Sequence, residues 1–298
     1  MLVEKLLKKL LWAMALVVFA FVCFVGYLIN LMINRPMLGR LKELKDESFT
    51  QFWVKNENGH KINAMFYPGK PENGVVVLCH GHGVAAGNLD DMVPFLKKAG
   101  VGILLFDFRA HGKSEGRLCT IGLHEHNDIK QVLKAAKDEG LITDNTKVAA
   151  YGRSMGAASL INGSAGLSEV DAFILESSFE ELRKIAARDA RHNVGVPDTF
   201  LIDLTFWVVE KITSVPYLQN KPVEKIAGIG SRPTMLIHDE LDHRANEDAF
   251  AALHAALPAA QTFVASGARH VQAHKIHEAE FERLFLQFLK DAAVIKSE

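Results

Sequence analysis

The sequence predicts an α/β protein: a mostly parallel central sheet with helices on both faces, preceded by one membrane-spanning helix. Three observations carry this. From about Ser48 onward, strand patterns alternate with helical ones, which is the rhythm of βαβ units. Several of the strand patterns are continuous runs of apolar, often β-branched residues, as strands buried on both faces require. Before them, Leu10 to Ile33 contains no charged residue over 24 positions.

That first run, "LLWAMALVVFAFVCFVGYLINLMI", reaches ~36 Å as a helix at ~1.5 Å per residue, enough to cross a ~30 Å hydrocarbon core with some tilt. Trp12 and Tyr27 stand toward its ends, where amphipathic rings prefer the interface. A cleaved signal peptide would show a shorter apolar region, roughly 7–15 residues, and then a small-residue cleavage site. This run is longer and ends in "NLMINRPML", so the reading is an uncleaved anchor over residues 1–45. Lys5, Lys8 and Lys9 precede the span; Arg35, Arg40, Lys42 and Lys45 follow it. Counted by charge the two flanks are nearly balanced. The Lys-rich start resembles a signal anchor, which places the main domain outside the cytoplasm.

The remaining residues, 46–298, read as one domain. "SFTQFWVK" and "KINAMFY" are paired strands around "NENGH", with Asn58-Gly59 as the hairpin signal. "GVVVLCH" (74–80) is a buried strand, followed by a helix over Asp90–Ala99. "VGILLFDF" (101–108) is a second buried strand, and "HEHNDIKQVLKAAKDEG" a helix ended by Gly140. "KVAAYG" is a strand and "SMGAASLING" a helix of small residues; "DAFILESS", "RPTMLIHD" and "QTFVAS" are strands. Glu247–Leu257 is helical, and "HEAEFERLFLQFLKDA" carries Phe281, Leu284, Phe285, Phe288 and Leu289 at helical spacing. Between residues 180 and 231 the rhythm breaks. Several short helices fit there, including "DTFLIDLTFWVVEKI", as a cap over the strand ends where open α/β sheets bind ligands.

Composition narrows the function classes. A formal net charge of −1 is not that of a nucleic-acid binder. Three cysteines, Cys23, Cys79 and Cys119, without regular spacing argue against a disulfide framework. A single Cys79–Cys119 bridge is the alternative to a pair of buried free thiols.

"YGRSMG" (151–156) matches G-x-S-x-G between a strand and a small-residue helix, the context of a nucleophile elbow at Ser154. A tight strand-to-helix turn leaves no room for Cβ atoms at Gly152 and Gly156, and the helix N-terminus below favours negative charge. A serine at its ordinary pKa is a weak nucleophile and needs a base. In this arrangement the order is serine, acid, histidine, so of 13 histidines only those after Ser154 qualify. His270, in a Gly-containing loop just past "QTFVA", is the candidate; His274 and His277 read as solvated helix residues. The three could also be read as a metal cluster, but no H-E-x-x-H or cysteine pairing supports zinc.

The histidine needs a carboxylate on a loop after a strand between Ser154 and His270. "IHDELDH" (237–243) offers three acids. Asp242 has room to reach back. Asp239 reads as a turn or capping residue and Glu240 as a solvated one; Glu176, closing "DAFILE", is the other candidate. For the developing oxyanion, one donor is the backbone N–H of Met155, and the second comes from the glycine-rich "HGHGVAAGN" (80–88), expected at the N–H of His82. His80 is expected to pack and hydrogen-bond within that loop.

"LCHGHG", "FDFRAHGKSEG", "TIGLHEHNDI", "YGRSMGAAS", "ILESSF", "PTMLIHDELDH" and "SGARH" run in order from about residue 75 to 270. Together they resemble the α/β-hydrolase superfamily of serine hydrolases, near its Bem46-like and S33-peptidase-like branches. The resemblance implies the α/β-hydrolase fold, with Ser154 as nucleophile, Asp242 as acid and His270 as base. It assigns Arg109, His111, Gly112 and Ser114 a supporting role and likens Glu125 and Asp128 to the acid pair opening the next helix. The sequence departs from the family where Asp239 replaces a frequent Gly and "HRAN" replaces the common x-V-P after the acid.

A fold does not name a substrate. The leading expectation is a membrane-anchored serine hydrolase acting on a carboxylic ester, including thioester or acyl-lipid esters, with no metal or organic cofactor. The anchor and the apolar "FLIDLTFWVV" make a small ester or lipid-like substrate attractive, although a cap helix packed on its own domain is the preferred reading of that segment. A serine peptidase or an acyltransferase would use the same three residues. A non-catalytic binding protein of this fold usually lacks one of them. Oligomeric state is not readable.

Overall fold

The computed structural model describes residues 2–33 and 42–296. Helix α1 runs Leu2–Ile33. Among the described residues, Val3–Phe24 is long and apolar enough to cross a membrane, and it overlaps the uncharged run from Leu10 to Ile33. Helix formation needs only the backbone ladder, and the lysines near the start of α1 can extend along the helix to water. The side chain of Tyr27 and residues Arg35 and Arg40, read above for membrane placement, lie outside the described residues.

The eight expected strands all form, in one sheet: β1 Thr50–Lys55, β2 Lys61–Tyr67, β3 Val75–Cys79, β4 Gly102–Phe106, β5 Val148–Arg153, β6 Ala172–Glu176, β7 Thr234–Asp239 and β8 Gln261–Ala265. Their order is β1-β2-β4-β3-β5-β6-β7-β8. β2 is antiparallel to β1 and β4, and every other pairing is parallel. The chain leaves β3 for β4 on one side and returns to β5 on the other, so the carboxyl ends of β3 and β5 meet at the switch point where such sheets bind ligands. The β1–β2 connection is a five-residue loop rather than a two-residue turn. Asn56 N donates to His60 O at 3.0 Å, the Asn56 side chain accepts from the N–H groups of Asn58 and His60, and Gly59 takes a positive φ of 76°.

Helices α2 (Val93–Lys98), α3 (His126–Asp138), α4 (Met155–Gly163), α5 (Leu182–Val194), α6 (Phe200–Thr213), α7 (Pro222–Lys225), α8 (Glu247–Ala256), α9 (Ala273–Ile276) and α10 (Glu278–Asp291) complete the chain. α2 is shorter than the expected Asp90–Ala99. Pro94 stands at its start, and residues Ala86–Met92 form a 3-10 segment instead.

The strand alternation divides the core. Val75, Val77 and Cys79 of β3 face one apolar layer with Ile129, Val132 and Leu133 of α3 and Leu160 and Ile161 of α4. Val76 and Leu78 face the other, with Phe281, Phe285, Phe288 and Leu289 of α10. Residues 180–231 hold α5, α6 and α7. They build a smaller apolar cluster in which Phe179, Leu182, Ile202, Phe206, Val209 and Tyr217 pack with Ala158 of α4. Tyr217 OH donates to Cys119 O at 3.1 Å and Asn220 Nδ2 donates to Ile121 O at 2.8 Å, tying this insertion to the loop before α3. Cys79 and Cys119 are buried free thiols, and Cys23 is exposed and free.

Candidate active site

β5 ends in the tight turn that carries Ser154. Ser154 adopts φ 52° and ψ −114°, a strained conformation for a residue with a side chain. The turn closes only because its glycines lack Cβ atoms. A Cβ on Gly152 would lie 2.5 Å from Ala157 N, and one on Gly156 would lie 2.1 Å from Cys79 O and 2.8 Å from His80 O. Gly156 therefore lets α4 approach the end of β3. Gly156→Ala is expected to destabilise the fold at or beyond the upper end of the ~1–3 kcal/mol typical of overpacking, because the obstacle is backbone. Urea midpoints of the two proteins check this.

The structure brings Ser154, His270 and Asp242 into one hydrogen-bonded chain. A carboxylate only accepts, so His270 Nδ1 donates to Asp242 Oδ2, at 2.6 Å. That leaves His270 Nε2 as acceptor for the Ser154 hydroxyl at 2.9 Å. Asp242 Oδ1 accepts from the N–H groups of Arg244 (2.8 Å) and Ala245 (3.2 Å). Burial raises the Asp242 carboxyl. The His270 ring and these two N–H groups outweigh it and hold the group below its ordinary value.

The other acids of "IHDELDH" hold the same loop. Glu240 accepts from Ser266 Oγ and Gly267 N, both at 2.8 Å, and Asp239 accepts from Val271 N (2.9 Å), Gln272 N (3.2 Å) and the Ser177 hydroxyl. Three acids after one strand thus brace residues 266–272 on both sides of His270. The sequence reading missed this for Asp239 and Glu240; its signal was three acids in four positions opposite a loop rich in unpaired backbone N–H groups. Glu176 is not the carboxylate bonded to His270. It accepts from Tyr151 OH and from Arg153 Nε at 3.2 Å, while both Arg153 terminal nitrogens donate to Asp91.

Asp239 is fully buried, and burial followed by the nearby Glu176 charge pushes its carboxyl from 3.8 up to about 7. The folded state therefore holds this proton more tightly than the unfolded chain. Stability is expected to fall as pH rises from about 4 to about 7, by on the order of 4 kcal/mol from this group. Asp239→Asn should flatten that part of the profile, as read by urea midpoints at pH 5 and pH 8.

The loop after β3 stands beside the elbow. A Cβ on Gly81 would lie 3.6 Å from Ser154 Cβ. His80 is buried; its Nδ1 donates to Gly81 O at 2.7 Å and its Nε2 accepts from Phe108 N at 3.0 Å. Burial lowers its pKa to about 4, so it is a neutral structural residue. The loop is also held by Asp107, which accepts from Ala86 N at 2.8 Å, and by His111, which accepts from Gly83 N at 3.2 Å. The His82 N–H has no partner among the described residues. Met155 is the first residue of α4, so its N–H is one of the donors left unpaired at a helix start.

The further residues of the matched motifs are structural. Arg109 grips Asp128 through Nε (2.9 Å) and Nη2 (2.8 Å), and Glu125 accepts from Thr120 N, Thr120 Oγ1 and Gly122 N. His274 is buried rather than solvated, stacked on Phe95 and 3.3 Å from Glu282.

Two groups of ligand-type side chains converge among the described residues: His82 with His111 and Cys119, and His274 with Glu278 and Glu282. The first is a poor metal site. His111 Nδ1 donates to Arg109 O and Nε2 already accepts from Gly83, and burial raises the Cys119 thiol far above its ordinary value. In the second, His274 already bonds Glu282 and lies 3.5 Å from Asp91.

A serine hydroxyl bonded to a histidine whose other nitrogen meets a buried carboxylate is the arrangement used for nucleophilic attack on carbonyls. Residues 70–261 match the family described as serine aminopeptidase, S33. The chain belongs to the serine aminopeptidase S33 family. Its fold is that of the α/β-hydrolases. An esterase of Pyrococcus furiosus superposes with a TM-score of 0.70, covering 87% of this chain and 98% of its own at 22% identity, a likeness that shows the fold. Protein phosphatase methylesterase 1 of Candida albicans is 24% identical over 62% of this chain and 59% of its own length. The uncharacterized protein YfhR of Escherichia coli is 25% identical over 63% and 61%. The chain spans about three fifths of the length of these curated relatives.

Proposed function

We propose that this S33-family chain is a membrane-anchored serine hydrolase that cleaves a carboxylic ester, with an acyl-lipid or thioester among the candidate substrates. The hydrogen-bonded chain Ser154–His270–Asp242 at the strained end of β5 supports this most directly. Ser154 Oγ attacks the ester carbonyl carbon while His270 Nε2 takes its proton. Asp242 stabilises the imidazolium and holds its orientation. The negative charge moves to the carbonyl oxygen, which accepts from the N–H groups of His82 and Met155. Collapse expels the alcohol with the proton from His270 and leaves an acyl-serine. Water, deprotonated by His270, then releases the carboxylic acid and restores Ser154. None of these steps calls on a metal or an organic cofactor.

The apolar helix α1 supports anchoring. With Lys5, Lys8 and Lys9 on the cytoplasmic side, the hydrolase domain lies outside the cytoplasm. A membrane-impermeant protease applied to intact cells should then degrade it, and full protection would reverse the orientation. The family's description favours one competing reading, peptide hydrolysis by the same residues.

The test is labelling of the full chain in detergent with a fluorophosphonate, locating the adduct by peptide mass spectrometry. In parallel, p-nitrophenyl esters of increasing chain length are compared with aminoacyl p-nitroanilides. An adduct on Ser154 with ester turnover the faster supports the proposal. Faster anilide turnover transfers it to the peptidase reading, and a folded protein that takes no label removes the serine mechanism.

A further inference from the structure

Outside α1, nine large apolar side chains are exposed among the described residues, and five of them lie on α6: Phe200, Leu201, Leu204, Trp207 and Ile212. The other four, Trp53, Leu241, Val264 and Ile276, are scattered through the domain. Phe200 is 73% exposed, Trp207 55% and Ile212 58%, while Ile202, Phe206 and Val209 on the opposite side of the same helix are buried in the cluster that seats α6 on the domain. Positions 200, 204, 207 and 211, with 201 and 212, trace one wide outer face at helical spacing. A contiguous apolar face on one helix marks an interaction surface, whereas single exposed residues do not.

What covers it is indicated by α1. Phe21, inside the uncharged run from Leu10 to Ile33, packs against the cluster that α6 helps to build, and the two helices lie in contact. On the anchoring proposed above, Phe21 lies in lipid, so α6 beside it lies at the membrane. Its composition suits a membrane border: a tryptophan on the outer face, Lys211 beside Ile212 with a stem long enough to reach headgroups, and Asp203 ion-paired to Arg183.

We infer that α6 is a second membrane contact, lying in the surface of the bilayer that α1 crosses, with Phe200, Leu204, Trp207 and Ile212 in the lipid. This rests on the anchoring proposed above. The insertion that carries α6 also reaches the acid loop, where Asp189 of α5 bonds Arg244 Nε at 3.0 Å and His192 stacks on His243 at 3.9 Å. Seating α6 in the membrane thus holds the site next to the bilayer, where an ester of low water solubility would be met.

The test uses the full chain in phosphatidylcholine–phosphatidylglycerol vesicles. The protein has three tryptophans, Trp12, Trp53 and Trp207. One variant keeps only Trp207 (Trp12→Phe, Trp53→Phe) and one keeps only Trp12 (Trp53→Phe, Trp207→Phe). Lipid brominated on its acyl chains should quench Trp207 at least about twofold, and should quench Trp12 of the anchor as well. Quenching of Trp12 without Trp207, and of Trp207 by aqueous iodide, would overturn the inference and leave the anchor standing. No lipid quenching of either would overturn both. A Trp207 shielded from lipid and iodide alike would mean that protein covers α6, which also overturns it.

Discussion

Ser154→Ala is expected to abolish fluorophosphonate labelling and to lower kcat on a p-nitrophenyl ester by about 10⁴- to 10⁶-fold, the range seen when a triad nucleophile is removed. The substitution deletes the atom that forms the acyl-enzyme and keeps Cβ, so the strained turn and its packing stay as they are. KM and the urea midpoint should move little. Residual turnover would come from oxyanion donors and binding alone. A kcat within tenfold of the wild type, measured with stopped assays on purified protein, would remove Ser154 as nucleophile.

Asp242→Asn is expected to lower kcat by about 10⁴-fold with the fold intact. Asp242 Oδ1 accepts two backbone N–H groups. An asparagine keeps those bonds only by placing its carbonyl oxygen there, which turns its NH₂ toward His270. The ring must then accept at Nδ1 and carry its proton on Nε2, aimed at Ser154, where it cannot act as a base. Asp239→Asn touches the loop but not the ring, and should change kcat less than about tenfold while altering the pH dependence of stability. If the two variants exchanged effects, Asp239 would be the acid. If neither fell, Glu176 would be the remaining candidate.

The fold was legible because its signals are local. Continuous apolar runs such as "VVVLC" and the 3.6-residue spacing of Phe281, Phe285 and Phe288 each specify an element without reference to distant residues. Element ends were less legible. α2 starts late because Pro94 cannot donate to a preceding turn, and the Asn56–His60 connection is longer than Asn58-Gly59 suggests because the Asn56 side chain organises it. The same locality made the elbow readable: Gly152, Ser154 and Gly156 lie within five positions, although the need for Gly156 comes from the Cys79 and His80 carbonyls far away in sequence.

By itself, then, the sequence determined the order of strands and helices, an apolar N-terminal helix, the elbow at Ser154 and the pairing of that serine with a histidine after the last strand. These follow from backbone sterics and hydrophobic periodicity, which act over a few residues. The tertiary structure decided which acid of "IHDELDH" meets His270, that its two neighbours brace the same loop, that His274 is buried, and that α6 lies against α1 with its apolar face outward. Each of these depends on separation in space between groups far apart in the chain. A hydrogen bond tolerates only a few tenths of an ångström, and no local pattern encodes that.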